Sequence, residues 1–251
     1  MNSITIGSIV FACVFGGALL GTALRAVLPT HHLAADSKEA VKVGMGLVAT
    51  MAALVLGLLV ASAKGSYDAQ NNELTEMSAK IVLLDRVLAH YGPEAKEARD
   101  LVRASTTRIL DQGWSKDRSS ASQLDPRSAG GDSLYNIIQG LSPKDDRQRT
   151  LQAQALSIGA SLAETRWLMY EQGTTSISMP LLIAMVFWLT ALFVSFGLFA
   201  PPNATVVASF FIAGLSVSGA ILLIVEMYTP YAGIIKISSA PLRAALAQLG
   251  A

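Results

Sequence analysis

The chain has 251 residues, of which 52% are hydrophobic and only 15% charged, where a soluble domain of this size carries about 25% charged residues. A net charge of +1 argues against a dedicated nucleic-acid binder, which carries a basic face. The single cysteine, Cys13, lies in a hydrophobic run, which excludes an intrachain disulfide framework and any Cys/His metal spacing.

Ile4–Leu24 is the first of four uncharged stretches. Each has about 20 residues, and at a rise of roughly 1.5 Å per residue that length crosses a hydrocarbon core of about 30 Å. In lipid the backbone satisfies its own hydrogen bonds, so each stretch is predicted to be helical. The first is too long for a signal-peptide core and lacks a basic leading region, which predicts a retained anchor. Gly17 and Gly21 are spaced as a small-xxx-small pair, a helix-packing motif in lipid. In the following loop His31 and His32 are adjacent. A metal site needs three or four donors, so they read as a solvated pair and no metal is expected.

The second stretch, Val43–Ala63, is preceded by Asp36 and Glu39, an acidic variant of a helix-opening capping box. No proline follows until Gly92-Pro93, so the helix is predicted to run from Ser37 to Tyr91, roughly 80 Å long. Gly65 is its weakest point. Within the span Gly46, Thr50, Ala53 and Gly57 form a narrow, smooth stripe, and Lys64 ends it. Such a stripe serves close packing, a subunit interface or a pore wall. Beyond the span Leu74, Met77, Ile81, Leu84, Leu88 and Tyr91 recur in steps of 3 and 4, the pattern of a coiled-coil seam or of an ordinary bundle core.

An amphipathic helix follows Pro93, with Ala98, Leu101, Val102, Ser105 and Ile109 on one face. The Ser-, Gly- and Asp-rich run Gly113–Gly131 reads as a loop, and Ser133–Leu141 as a short helix. Ser142-Pro143 predicts an N-cap with proline at the first helical position, and Asp145 and Asp146 complement the dipole. That helix carries Leu151, Ala155, Ile158, Leu162, Thr165 and Met169 at steps of 4 and 3, which predicts an antiparallel bundle.

The third and fourth stretches are Leu181–Ala200 and Thr205–Val225, joined by a tight turn at Pro201, Pro202 and Asn203. Gly214 and Ser218 repeat the small-residue motif, and Glu226 ends the fourth span. Topology places Lys64 and Glu226 at similar depth, so they are candidates for an ion pair. Tyr228 and Tyr231 fit an interfacial aromatic belt. Pro241 opens a segment with Leu242, Ala245, Leu246 and Leu249 on one side, to lie on the membrane surface or dock on the bundle.

The expected fold is therefore an all-α integral membrane protein. Residues 1–63 form a transmembrane hairpin, 64–179 a helical-bundle extramembrane domain, 180–226 a second hairpin and 227–251 an interfacial C-terminal tail. Four spans put both termini and the domain on one side, which also holds Lys64, Arg166, Lys236 and Arg243. The opposite loop holds Arg25, Lys38 and Lys42. The positive-inside rule then predicts a cytoplasmic domain in a multi-pass membrane protein.

No Walker A loop, GxSxG, HExxH or nucleotide fingerprint occurs, so neither a catalytic residue nor a cofactor is expected, which argues against an enzyme. Four stretches, Val41–Asp68 (VKVGMGLVATMAALVLGLLVASAKGSYD), Ile81–Pro93 (IVLLDRVLAHYGP), Val186–Ala204 (VFWLTALFVSFGLFAPPNA) and Ile237–Leu249 (ISSAPLRAALAQL), resemble bacterial membrane proteins labelled bestrophin-like, across essentially the whole chain. The resemblance implies kinship with bestrophins, oligomeric anion channels with four spans and a helical cytosolic region. The second span here carries Gly, Thr, Ala and Leu in place of their bulky aromatic neck.

The leading expectation is a homo-oligomeric ion channel in the lipid bilayer, with inorganic ions as its cargo. Gly46, Thr50, Ala53, Gly57 and Lys64 would line its pore. The seam Leu74–Tyr91 and the glycine stripes offer more close-packing surface than one four-span subunit needs. The alternative is a non-conducting membrane scaffold or sensor whose helical domain binds a partner. A small-solute transporter is a third reading, disfavoured because the hairpins show no inverted repeat.

Overall fold

The computed structural model describes residues 2–29, 34–114, 131–174, 178–231 and 233–250. Eight α-helices appear among them: α1 Ser3–Val27, α2 Ala35–Tyr91, α3 Lys96–Gly113, α4 Gly131–Gln139, α5 Asp146–Thr174, α6 Met179–Phe199, α7 Ala204–Met227 and α8 Ala240–Gln248. Four of them, α1, α2, α6 and α7, are long and apolar enough to cross a membrane. The chain divides into two compact units, residues 1–65 with 176–228 and residues 66–175 with 229–251.

In the first unit α1 packs along α6 and α7. Val10, Val14 and Ala18 of α1 are buried with Met185, Leu189 and Phe193 of α6 and Ile221 and Ile224 of α7. Prolines at 201 and 202 cannot continue α6, and Asn203 starts α7 by accepting the Val206 amide on its side chain at 2.8 Å. The Arg25 guanidinium donates to the Ala200 carbonyl, one of the acceptors a helix C-terminus leaves open.

In the second unit all six seam residues of α2, Leu74 through Tyr91, are buried. They share one core with Ala98, Val102 and Ile109 of α3, Ile138 of α4, and Ala155, Leu162 and Met169 of α5. Tyr91 ends α2, and Gly92 takes φ 131°, a left-handed-side conformation that favours glycine.

Several expectations need correction. The Leu74–Tyr91 seam is consumed by the chain's own bundle, so it no longer argues for self-association. The tail is not an interfacial strip: Ile237, Leu242, Ala245 and Leu249 are buried in the second unit. A nine-residue α8 cannot hold its helix alone in water, and packing on a bundle supplies what local propensity does not. Tyr231 likewise leaves the aromatic belt. It is buried edge-on against Trp114 at 5.7 Å, while the Trp114 indole N–H donates to the Ile237 carbonyl at 2.8 Å. Helix α5 opens later than Ser142-Pro143 suggests. Asp145 caps it, its carboxylate accepting the Gln148 amide at 2.7 Å. An acid at the cap satisfies both the open amide and the dipole, which Ser142 does only in part. Helix α2 begins at Ala35, which places Asp36 in its first turn, and it passes Gly65 unbroken. His31, His32 and most of the expected loop at 113–131 lie outside the described residues.

Candidate functional site

Helix α2 has the least covered of the four apolar stretches. Only 11% of its span is buried, against 28% in α1, 39% in α6 and 22% in α7. Its buried residues are Ala52, Leu59 and Ala63, with Met45, Val48, Ala49, Val55 and Leu56 partly buried against the same core. Successive residues turn by about 100° around a helix, which puts Gly46, Thr50, Ala53 and Gly57 on a different flank. All four are exposed. A β-carbon added at Gly46 or Gly57 meets nothing within 4 Å. Thr50 returns its hydroxyl to the Gly46 carbonyl at 3.0 Å, so the polar atom stays close to the helix surface and the stripe stays smooth. Beside it runs an exposed ridge of Val43, Leu47, Leu54 and Leu58. The stripe and ridge alternate a flat surface with a bulky one on the same helix.

The other small residues are used differently. A β-carbon at Gly21 would lie 2.0 Å from the Val194 carbonyl oxygen, and one at Gly197 would lie 2.0 Å from that of Ala18. Helices α1 and α6 therefore touch backbone to backbone. At Gly17 the same atom meets Thr190 at 3.1 Å. A β-carbon at Gly214 would meet the Phe11 ring and the Phe15 β-carbon, each at 3.6 Å, and Ser218 is buried with its hydroxyl on the Leu215 carbonyl. These four residues pack within the first unit. Gly7, against Leu222 at 3.2 Å, and Gly197 join them. Sequence reasoning missed both.

Lys64 is exposed at the end of the α2 span. Glu226, in the last turn of α7, is 2% exposed. Both belong to the first unit. A buried carboxylate at a span terminus is unusual, since charge burial in a low-dielectric region is costly without partners.

The second unit holds a polar pair that periodicity did not reveal. Arg99 donates through Nε and Nη2 to the two oxygens of Asp85, at 2.7 and 3.0 Å. The Gly250 amide adds a third donor at 3.3 Å, and Arg103 reaches the Leu249 carbonyl at 2.8 Å. Burial pushes the Asp85 carboxyl up, but the hydrogen bonds from Arg99 and Gly250 and the charges of Arg99 and Arg103 outweigh it. The carboxyl ends below the usual range. Glu73 moves the other way: burial and the charge of Glu76 raise it against a hydrogen bond from Gln172. Among the described residues no cluster of three His, Cys, Asp or Glu side chains has the makings of a metal site.

Helices alone make up the regular structure of the described residues, and four of them are long and apolar enough for a bilayer, which is the build of an integral membrane protein. The profile of the bestrophin-like domain matches residues 12–242, and the chain belongs to that bestrophin-like family. No curated protein and no solved structure matches it.

Proposed function

We propose that the chain is the subunit of a homo-oligomeric ion channel in which the span of α2 lines the conduction path. The observation that carries this reading is the open stripe Gly46–Thr50–Ala53–Gly57 on the least covered span. Gly17 and Gly21 of α1 and Gly214 of α7 meet other helices within the subunit, whereas Gly46 and Gly57 of α2 meet nothing. A channel needs a continuous path lined by small or polar groups. The adjacent Leu47, Leu54 and Leu58 supply the apolar surface that a neighbouring subunit or lipid would cover.

In such an oligomer Lys64 forms a ring at one mouth, which concentrates anions there. Glu226, at the end of a neighbouring span, tempers that ring. The decisive experiment records reversal potentials in planar bilayers under a salt gradient, after mass measurement in mild detergent has established more than one chain per particle. Lys64→Glu is expected to move the reversal potential towards cation preference and Glu226→Gln towards stronger anion preference. Unchanged potentials in both variants would remove Lys64 from the conduction path. A well-folded oligomer without conductance would favour the scaffold reading.

In this proposal both termini and the second unit face the cytoplasm of a bacterial cell. In a Cys13→Ala background, a cysteine replacing the exposed Ser142 is expected to resist impermeant thiol reagents in intact cells and to react after lysis. Labelling before lysis would reverse the orientation.

A further inference from the structure

A groove of ≈ 530 Å³ lies in the first unit between α2, α6 and α7, within the roughly 300–1,000 Å³ range of small-molecule sites. Its walls are Met45, Gly46 and Ala49 of α2 with Phe196, Phe199 and Phe210 from α6 and α7. At one end it carries two cations and no acid, Lys38 and Lys42.

The order of these residues along α2 is what gives the groove its polarity. Positions 38, 42, 45 and 49 follow steps of 4, 3 and 4, which is one face of a helix. Lys38 and Lys42 occupy the turns nearest the start of α2, and Met45 and Ala49 occupy the turns beyond. On α6 the groove reaches Phe199 and Ala200, the helix end where Arg25 meets the Ala200 carbonyl. The groove is therefore basic at the level where the apolar stretches begin and, apart from Ser195, apolar deeper in. Asp36 and Glu39 share the first turns of α2; neither lines this groove, and Glu39 borders the adjoining hollow with Lys38 and Lys42. Among the described residues no ion pair joins Lys38 or Lys42 to an acid. Both ammonium groups are exposed.

A shape that is cationic at the interface and aromatic-walled towards the bilayer interior fits an amphiphile with an anionic head and a hydrocarbon tail. We propose that this groove binds an anionic phospholipid, its phosphate held between Lys38 and Lys42 and one acyl chain lying against Ala49, Phe196 and Phe210. Two ammonium groups one turn apart suit a phosphate oxygen pair. Interfacial lysines attract anionic headgroups, and their long stems let the charge stay in water while the carbons cover the tail. Gly46 sits on both the groove wall and the small-residue stripe, so the bound chain flanks that stripe. The site itself does not depend on conduction.

The test titrates the purified full-length protein with phosphatidylglycerol, with phosphatidylcholine of the same acyl chains and with glycerol phosphate, and counts bound molecules by native mass spectrometry. Phosphatidylglycerol is expected to bind more tightly than phosphatidylcholine. Lys38→Gln with Lys42→Gln is expected to weaken phosphatidylglycerol by about thirtyfold, the combined effect of two interfacial basic side chains, and to leave phosphatidylcholine unchanged. Ala49→Trp keeps both charges but fills the groove, and is expected to release the lipid. Equal binding of the two lipids, or no bound lipid at all, overturns the proposal. So does phosphatidylglycerol retained by either variant. Glycerol phosphate binding as tightly as phosphatidylglycerol would make the site one for free phosphate and overturn it equally.

Discussion

Gly21→Leu is expected to abolish a stably folded first unit, and Gly21→Ala to weaken it by about 3 kcal/mol, the upper end of the usual cost of overpacking. A single β-carbon there would sit 2.0 Å from the Val194 carbonyl oxygen and 2.9 Å from the Leu198 amide nitrogen. Both are backbone atoms of α6, and no rotamer change removes them. The helices must separate, and the burial of Val14 and Ala18 against α6 is lost along with the contact. Close helix approach is what van der Waals association in lipid relies on, since lipid tails compete equally for apolar side chains. Gly57→Ala is the control. Its β-carbon enters open space, and alanine gains up to about 1 kcal/mol of helix propensity over glycine, so stability should hold or rise. Thermal unfolding monitored by size-exclusion chromatography reads both. A Gly21→Ala protein as stable as the parent would show that α1 and α6 do not touch as described.

The second large effect is expected in the other unit. Asp85→Ala should cost about 3 kcal/mol, the scale for breaking a buried ion pair and leaving one charge behind. The Asp85 side chain is 4% exposed and that of Arg99 is 26% exposed, so the stranded guanidinium keeps only partial access to water. The Gly250 amide loses its acceptor as well, which should loosen the tail and expose it to protease. Replacing both partners by apolar residues, Asp85→Leu with Arg99→Leu, should cost less than the single change.

The same pair sets an acid limit. The folded Asp85 carboxyl lies below its usual value, so the native state binds fewer protons than the unfolded chain. Its stabilisation is fully present above the unfolded value of about 3.9 and is lost as pH falls through the lower folded value. The Asp85→Ala protein should therefore show a weaker dependence of Tm on pH below about 4 than the parent. Equal acid slopes in the two proteins would mean that another carboxylate controls this region.

Much of this architecture follows from patterns that are local in the chain. Ile4–Leu24, Val43–Ala63, Leu181–Ala200 and Thr205–Val225 reappear within α1, α2, α6 and α7, shifted by a few residues at their ends. Uncharged length suffices to call such segments because unsatisfied backbone is intolerable in hydrocarbon. The long α2 was equally legible: no proline interrupts it before Gly92-Pro93, and its apolar steps continue past the span.

The sequence by itself determined which faces are apolar, which are smooth and where each helix stops, because these depend on residues within a few turns of one another. Only the tertiary structure decided what each face meets. Gly17–Gly21, Gly46–Gly57 and Gly214–Ser218 read alike in sequence. Two of these stripes are filled by α6 and by the side chains of Phe11 and Phe15, whereas the α2 stripe is left open. The steps of 3 and 4 in Leu74–Tyr91 fit an intersubunit seam and an internal core equally well, and the folded bundle chose the core. Asp85 and Arg99 lie 14 residues apart with a glycine-proline turn between them, and Arg103 meets Leu249 across 146. Periodicity records that a side chain is buried. The partner is set by chain crossings that no local spacing encodes.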